Sequence, residues 1–433
     1  MSKAETQVEA ENLLAMARAL AAVRPDMQVT TSEVEGLALA SVGAASPLAT
    51  EQGLERAAKT LRTGWLRSVA AETSRVFRSP TEGEVERLSR SRRDAYGYER
   101  DFQPDRLEQR CHAFFGAPPG GWTVEHVLFS SGQAALATVL LHLAEPHAGT
   151  LRVAHIGAYF ETAELVRRAC RPVTQTSQAD LLIVEPVACD GRFATHDPAA
   201  IARTLKPGQA LALDETLSAP HTLATSVLRA AGAPDIVVVR LVSGLKLLQQ
   251  GLELANVGIV SVFARDEERV AAIAEGLKRC RTLTGAGLRF VDALALEAPF
   301  FLDREATDAY AERVFEHNAT LMRAVMARNR LFRPLGDAEI NGAAAPYCTF
   351  ELATGNSAKA LETLAARIEG GAAERGLLIE RGGSFGFRGH RFEVIEPEAG
   401  AAPFLRVALG ARTDHSLRGL IALVAELAAD DAA

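Results

Sequence analysis

Between about Thr123 and Phe263, short β-branched runs alternate with amphipathic segments, and this alternation constrains the fold more than any other feature. The predicted strands are Leu151–Ile156, Asp180–Val184, Ala210–Leu213, Asp235–Leu241 and Val257–Phe263. The predicted helices between them are Thr162–Cys170, Pro198–Leu205 and Thr222–Ala231, with Asp197 as a helix cap before Pro198. Such an order predicts an α/β fold with a mostly parallel sheet covered by helices, whose ligand site lies at the carboxyl ends of the strands.

The chain changes character on both sides of this region. Residues 1–95 have helical spacing and are predicted to form a helical N-terminal arm or layer, with a charged joint at Ser79–Arg93. Residues 96–300 are then predicted to form a large ligand-binding α/β domain, and residues 301–433 a smaller C-terminal α/β domain. The elements predicted in the smaller domain are the helices Arg304–Arg330, Ser357–Arg375 and Ser416–Ala429 and the strands Cys348–Leu352, Leu378–Glu380 and Phe404–Leu409.

The charge pattern excludes several classes of partner. The chain has 47 Lys and Arg against 54 Asp and Glu, and its basic residues are dispersed, so nucleic acid and membrane surfaces are not expected partners. The five cysteines form no C-x-x-C pair and no Cys/His cluster at metal-ligand spacing, which predicts reduced thiols and no metal site. The polar start and the absence of a long apolar run predict a cytoplasmic protein.

A turn of small residues precedes an apolar helix at Ser130-Ser131-Gly132-Gln133-Ala134-Ala135. The backbone N–H groups and the positive dipole end at such a turn can bind a phosphate group. Taken alone, the same pattern is also explained by serines that cap an ordinary helix.

Two further strand ends carry ionisable side chains. Asp214 follows an apolar strand, where a carboxylate can keep a heteroaromatic ring nitrogen protonated or instead cap the next helix. Lys246 follows the next strand, where partial desolvation favours a neutral amine that forms a Schiff base with an aldehyde, although most lysines are solvated surface residues. The phosphate turn, the aspartate and the lysine together provide what pyridoxal 5′-phosphate (PLP) requires, namely anchoring, electron withdrawal and covalent attachment. PLP is therefore the predicted cofactor.

Six motifs in order, from about Tyr98 to Gly410, resemble those of the PLP-dependent enzymes of cysteine and methionine metabolism. This family includes cystathionine γ-synthase, cystathionine γ-lyase and methionine γ-lyase. The resemblance implies a fold type I PLP-dependent transferase-like fold. Tyr98 and Arg100 match Tyr-x-Arg-x-x-x-Pro, whose Tyr and Arg reach across a dimer interface to the neighbour's cofactor phosphate in the family. The resemblance therefore also implies a homodimer or homotetramer with shared active sites.

The other motifs assign the remaining site residues by the same resemblance. Ser-Ser-Gly-x-Ala-Ala, Asp-x-Thr-x-x-x-Pro and Ser-x-x-Lys lie at the strand ends described above, the second of them ending at Pro220. The implied cofactor-binding residues are Tyr98, Arg100, Ser131, Gly132, Gln133, Asp214, Thr216, Ser243 and Lys246. Arg406, in Arg-x-x-x-Gly, is the implied ligand of the substrate α-carboxylate, and Ser384, in Ser-Phe-Gly, is the second implied substrate-binding residue.

Three departures from the family pattern affect the substrate and the reaction. The family's tyrosine that stacks on the cofactor ring is displaced by three positions, so either Tyr159 or His155 replaces it, or nothing does. The threonine that usually precedes the lysine is Leu245, so Ser243 must carry more of the phosphate binding. The family's Asn contact to the ring oxygen is lost or passes to Cys189 or Asp190.

The predicted function is that of a PLP-dependent lyase or transferase acting on an L-amino acid with a γ-leaving group, by elimination or replacement. Lys246, Asp214 and Tyr159 are its predicted catalytic residues. The displaced tyrosine leaves open γ-elimination from a halogenated amino acid in specialised metabolism, because halide needs no proton to leave. The same residues are also compatible with an aminotransferase or decarboxylase, with a β-lyase or sulfhydrylase, and with a non-enzymatic PLP-binding scaffold.

Several residues are given structural rather than functional interpretations. The histidines His112, His126, His142 and His147 are expected to be solvated or satisfied within the core. Arg388 and His390 are expected in a solvated charged loop near Arg406. Trp65 and Trp122 are expected to be packing residues.

Overall fold

The structure is a computed structural model in which a subset of the residues is described. The described residues are 3–73, 102–148, 150–188, 196–218, 223–232, 235–328, 330–334, 345–397 and 402–429. The predicted joint at Ser79–Arg93 and the residues Tyr98, Arg100, Cys189, Asp190 and Pro220 lie outside them.

Three helices form the N-terminal part of the described chain: α1 (Lys3–Val23), α2 (Gln28–Val42) and α3 (Pro47–Thr73). Along α3 the residues Leu54, Ala57, Leu61, Trp65 and Val69 are buried, and this spacing of three and four residues places them on one face. That face shares one apolar cluster with α1, α2 and the chain segments that follow Lys246. Residues 3–73 are thus largely helical, and their helices form a packed layer.

The central sheet contains seven strands within the described residues. They are β1 (Thr123–Phe129), β2 (Arg152–Ile156), β3 (Arg171–Pro172), β4 (Leu181–Val184), β5 (Ala210–Asp214), β6 (Val237–Ser243) and β7 (Gly258–Ala264), in the order β1-β7-β6-β5-β4-β2-β3. β7 pairs antiparallel with β1 and with β6, and the other pairs are parallel. The predicted mostly parallel sheet is therefore confirmed. Sequence analysis did not identify β1 and β3 as strands.

Helices cover the central sheet. They are α4 (Asp105–Phe115), α5 (Gly132–Ala144), α6 (Phe160–Ala169), α7 (Pro198–Thr204), α8 (Ala224–Ala230), α9 (Glu267–Thr284) and α10 (Phe290–Ala295). Asp197 accepts hydrogen bonds from the amides of Ala199 and Ala200, so the predicted cap of α7 is confirmed. Single 3-10 turns are found at Pro25–Met27, Glu145–His147, Thr176–Gln178 and Leu247–Gln249.

A second sheet lies in the C-terminal part of the chain. Its elements are α11 (Arg304–Met326), β8 (Phe332–Pro334), β9 (Cys348–Leu352), α12 (Ala358–Glu374), β10 (Glu380–Arg381), β11 (Arg391–Ile395), β12 (Phe404–Ala408) and α13 (His415–Ala429). The strand order is β10-β11-β12-β9-β8, and most pairs are antiparallel. β8 and β11 were not predicted, because β8 is short and β11 is half-polar.

The expectation of a solvated loop at Arg388 and His390 is wrong. Both side chains are buried: Arg388 forms an ion pair with Glu9 of α1, and His390 Nε2 lies 3.3 Å from Asp414 Oδ1. The local sequence carries no sign of this, because Glu9 lies at the other end of the chain. Trp65 and Trp122 are buried as expected. His126 is buried with its Nδ1 atom 2.8 Å from Ser261 Oγ, but its Nε2 atom has no hydrogen-bond partner within the described part of the chain, so the imidazole is only half satisfied.

Within the described part of the chain, no helix is both long and apolar enough to cross a membrane. Cys111, Cys170, Cys280 and Cys348 are free thiols there, as predicted.

Candidate functional site

The carboxyl ends of the parallel strands meet at a cavity of about 270 Å³ between the two sheets. Every predicted site residue within the described chain lines it: Ser131, Gly132, Gln133, Tyr159, Asp214, Thr216, Ser243, Lys246, Ser384 and Arg406. Glu161, Glu185, Val187, Leu217 and Phe385 complete the lining. The structure therefore brings the predicted residues together, and their individual roles remain predictions.

The N-terminus of α5 forms one wall of the cavity. The Ser131 side chain caps the helix by accepting a 3.1 Å hydrogen bond from the Ala134 amide. The first amides of a helix have no partner within it, so those of Gly132 and Gln133 are available to a ligand. The capping interpretation of this turn is confirmed, and it is compatible with anion binding.

Glycine is required beneath this turn. A Cβ atom on Gly258 of β7 would lie 2.1 Å from the Ser131 carbonyl oxygen and 2.9 Å from the Gly132 nitrogen. A Cβ atom on Gly132 would approach the Ser243 Cβ to 3.3 Å. The ends of β1 and β6 can therefore lie on either side of Gly258 only because this residue has no side chain.

Asp214 and Thr216 connect β5 to the end of β6. The Thr216 amide donates to Asp214 Oδ1 at 3.0 Å, and Thr216 Oγ1 accepts a hydrogen bond of 3.0 Å from the Ser243 amide. Burial raises the pKa of Asp214, although the hydrogen bonds from Thr216 and the charge of Lys246 oppose the increase. Asp214 does not cap α8, whose N-cap position is Leu223.

Lys246 is half-buried at the base of the cavity, so the interpretation of a fully solvated surface lysine is wrong. Its Nζ atom lies 4.9 Å from the centroid of the Phe385 ring. Phe385 is flanked by Ser384 and Gly386, which both have positive φ angles of 71° and 75°. A Cβ on Gly386 would lie 3.3 Å from the Lys246 Cβ, so this turn packs closely against the lysine.

Glu185, directly after β4, is a site residue that sequence analysis missed. Its carboxylate is buried and accepts hydrogen bonds from His155 Nε2 at 2.7 Å, from the Ala158 amide at 3.1 Å and from the Tyr159 amide at 3.0 Å. A Cβ on Gly157 would lie 2.4 Å from the Glu185 Cδ, so glycine is needed there. Its position at a strand end is the sequence signal that could have identified it.

The hydrogen bonds to Glu185 decide its ionisation. Burial raises its pKa, but the bonds from His155 and the two amides outweigh burial and hold the pKa below its ordinary value. Glu185 is therefore a charged carboxylate that fixes the turn after β2.

Tyr159 lines the cavity, and His155 lies behind the wall with its imidazole on Glu185. The Tyr159 hydroxyl donates a 2.7 Å hydrogen bond to Glu161, an exposed carboxylate. Of the two candidates for the displaced tyrosine, Tyr159 is thus the one that reaches the cavity.

Arg406 forms an ion pair with Glu393, its partner across β11 and β12. Its guanidinium also lies 5.1 Å from the centroid of the Tyr347 ring, which in turn contacts Phe385 at 5.3 Å between centroids. Sequence analysis predicted Arg406 but not its anionic partner. Glu393 must be displaced or accommodated when another carboxylate binds Arg406.

Comparison with solved structures identifies the fold. A yeast cystathionine γ-lyase aligns with a TM-score of 0.57 and 16% identity, over 79% of this chain and 91% of the lyase. A cystathionine γ-lyase from Micromonospora echinospora aligns with a TM-score of 0.57 and 17% identity, over 81% and 92% of the two chains. A Sphingomonas wittichii serine palmitoyltransferase aligns with a TM-score of 0.52 and 12% identity, over 79% and 82%.

No protein-family model and no curated protein sequence matches the chain. The predicted fold class is nevertheless confirmed by the structural likeness. At these identities the likeness establishes the architecture alone.

We predict that Glu185→Gln destabilises the protein in a pH-dependent way. The pKa of Glu185 is lower in the folded state than its ordinary value of 4.5, so its contribution is present above that pH and is lost as the pH falls through the folded pKa. The expected cost at neutral pH is about 1–3 kcal/mol, as for a buried hydrogen bond to a charged group. Urea unfolding at neutral pH and well below pH 4.5 measures both values.

Glu161→Gln is the matched control, because Glu161 is an exposed glutamate on the same cavity. Its expected effect is within about 0.5 kcal/mol at either pH. An equal cost of Glu185→Gln at both pH values would show that its charge does not hold the turn.

Proposed function

We propose that the protein is a PLP-dependent enzyme that acts on an L-amino acid bearing a γ-leaving group, by elimination or replacement. One observation carries the proposal. Lys246, Asp214, the N-terminus of α5 and Arg406 line a single cavity, although they are far apart in the sequence. A covalent anchor, a partner for a ring nitrogen, a phosphate site and a carboxylate site are the four groups that such chemistry needs.

The residues at the cavity fit PLP. The amides of Gly132 and Gln133 would bind its phosphate together with the hydroxyls of Ser243 and Thr216. The Thr216 oxygen already accepts a bond from the Ser243 amide, so its own proton is left to donate. Leu245 stands where the family has a threonine and offers no hydroxyl to the phosphate, so Ser243 would contribute more of the phosphate binding.

Asp214 fits the ring nitrogen on electrostatic grounds. Burial raises the pKa of this carboxyl, and a cationic partner in the cavity would restore its charged form. Lys246 would hold the cofactor aldehyde through Nζ. Tyr98 and Arg100 are proposed to complete the phosphate site from a second subunit, which makes a homodimer or homotetramer the proposed assembly.

PLP, once bound, withdraws electrons from the substrate α-carbon and makes the α-proton acidic. The protein's own contribution begins with Arg406, which would orient the substrate by its α-carboxylate. Lys246 Nζ, released from the cofactor, would accept the α-proton and then move a proton at Cβ. The aromatic pair Phe385 and Tyr347, between Lys246 and Arg406, would exclude water from this path.

Tyr159 bears on the leaving group. Tyr159 lines the cavity, and its hydroxyl donates its one proton to Glu161, so it would have to turn away from Glu161 to protonate a leaving group. A thiolate or alkoxide needs such a proton, whereas a halide does not. The place of Tyr159 in the cavity lining supports a sulfur- or oxygen-linked γ-substituent over the halogenated substrate.

We predict that borohydride, added after incubation of the purified protein with PLP, fixes the cofactor on Lys246. Peptide mass spectrometry locates the adduct, and Lys246→Ala abolishes both the adduct and turnover, because no other lysine lines the cavity among the residues that the structure describes. Lys206→Ala, at an exposed lysine outside the cavity, is the control and keeps both. An adduct that persists in Lys246→Ala would refute the assignment.

The products distinguish the reaction classes in the same experiment. With a panel of γ-substituted amino acids, elimination releases a keto acid and ammonia without an added amino acceptor. An aminotransferase would require a keto acid acceptor, and a decarboxylase would release carbon dioxide. A bound cofactor without turnover of any substrate would indicate a non-enzymatic scaffold.

We predict that Glu393→Gln lowers KM with little change in kcat. The Glu393 carboxylate pairs with Arg406 in the free protein and competes with the substrate carboxylate for the same guanidinium. Removing the Glu393 charge strengthens the partly exposed ion pair between Arg406 and the substrate carboxylate. The expected decrease in KM is about two- to fivefold. Glu351→Gln, on the neighbouring strand β9, is the control. An increased KM would instead mean that Glu393 positions Arg406.

We predict that Tyr159→Phe slows turnover of a thioether substrate about 100-fold or more, the size of a general-acid contribution. Turnover of the matching γ-halo substrate should change little, because halide leaves without a proton. Phe160→Leu alters the neighbouring exposed ring and should affect neither substrate. Equal losses on both substrates would mean that Tyr159 does not protonate the leaving group.

A further inference from the structure

Three potential metal ligands meet at the end of α5, away from the cavity described above. His142 belongs to α5, Glu145 to the 3-10 turn that follows, and Cys280 to α9. Their Nδ1, carboxylate oxygen and Sγ atoms all lie within 4.8 Å of one another. None of the three lines the candidate active-site cavity. The sequence gives no indication of this cluster, because 135 positions separate Glu145 from Cys280.

The three ligand atoms are about as far from one another as the ligands of a single bound metal ion would be. Cys280 Sγ lies 3.8 Å from Glu145 Oε1, and His142 Nδ1 lies 3.5 Å from Glu145 Oε2. Ligand bonds to Zn²⁺ are about 2.0–2.3 Å long, so atoms this far apart can surround one ion after small side-chain rotations.

Helix α9 has a glycine, Gly276, at the position where the His142 imidazole packs against it. A Cβ on Gly276 would be 2.2 Å from His142 Cε1 and 2.8 Å from both ring nitrogens. Gly276 is one turn before Cys280, so both face the imidazole from the same side of α9. Glycine in the middle of a helix is unfavourable. Its presence here leaves the space that brings an imidazole beside the thiol.

The buried atoms of the cluster lack strong partners. His142 Nδ1 is buried and makes no hydrogen bond of good geometry. Burial lowers the pKa of His142, against the opposing effect of Glu145, so the imidazole is neutral and able to coordinate a cation. Burial and the Glu145 carboxylate raise the pKa of the Cys280 thiol, with Arg279 opposing. A cation at this position would reverse that effect.

We propose that His142, Glu145 and Cys280 bind a divalent transition-metal ion of the Zn²⁺ type, with water as the fourth ligand. One nitrogen, one oxygen and one sulfur donor favour Zn²⁺ or Co²⁺ over Ca²⁺ or Mg²⁺, which prefer oxygen alone. Three bonds form from the protein to the ion, and the Cys280 thiol releases its proton to solvent. The ion would fasten the C-terminal end of α5 to α9, and it would act independently of the proposed function.

Cobalt titration of the full-length protein, treated with a chelator and studied without added PLP, tests this site. We expect one equivalent of Co²⁺ to bind and to give a sulfur-to-cobalt charge-transfer absorption. Cys280→Ser should abolish that absorption, and Glu145→Gln should weaken binding about tenfold or more, since even outer-shell partners are worth 10–100-fold. Cys170→Ser changes a half-buried thiol elsewhere and should leave the absorption intact.

Gly276→Ala tests the arrangement without removing a ligand. Alanine favours the helix, yet its Cβ would displace the imidazole, so the variant should fold and bind Co²⁺ about tenfold more weakly. Circular dichroism confirms folding, and this variant decides the matter if Cys280→Ser does not fold. Unchanged binding in Gly276→Ala, charge transfer that survives in Cys280→Ser, or no stoichiometric binding at all would each overturn the proposal.

Discussion

The close approach of three strand ends at Gly258 is the constraint on which the cavity depends. β7 runs antiparallel between β1 and β6, and its first residue pairs with Phe129 on one side and with Ser243 on the other. The end of β1 leads into the α5 turn, and the end of β6 leads to Lys246. Any side chain at Gly258 would push the turn away, because its Cβ would overlap the Ser131 carbonyl oxygen. The phosphate-type turn and the lysine are thus held at one sheet edge by backbone packing.

The buried carboxylate of Glu185 and the half-buried carboxylate of Asp214 behave in opposite ways, and the difference lies in their hydrogen bonds. Glu185 accepts bonds from one imidazole and two amides, which compensate for the loss of solvation and lower its pKa. Asp214 accepts its bonds from Thr216 alone among the contacts described, and burial raises its pKa. Glu185 is therefore satisfied by the protein and serves the fold. Asp214 is only partly satisfied, which leaves it suited to pair with a cation in the cavity.

The sequence predicted the residues whose position follows from strand ends and missed those whose partners are distant. Asp214 and Lys246 each follow an apolar run, and parallel strands bring such positions to one edge. Glu393 was missed because it faces Arg406 only through the pairing of β11 with β12, and β11 itself is too polar to be predicted as a strand. Arg388 was assigned to solvent because Glu9, which neutralises it, is 379 positions away. A local sequence pattern reveals the periodicity of a helix or a strand. Ion pairs between distant residues depend on tertiary packing, which such a pattern does not contain.

The N-terminal helices α1 and α3 contact the chain segment that follows Lys246. Arg62 of α3 donates hydrogen bonds to the carbonyl oxygens of Leu252 and Glu253, in the segment that follows Lys246. Arg388, paired with Glu9 of α1, donates to the Gln250 carbonyl at 3.3 Å. The half-buried guanidinium of Arg62 thus holds two carbonyl oxygens and the buried guanidinium of Arg388 a third, which restricts the backbone of this segment. The N-terminal helices therefore hold the backbone of residues 250–253, a few positions after Lys246.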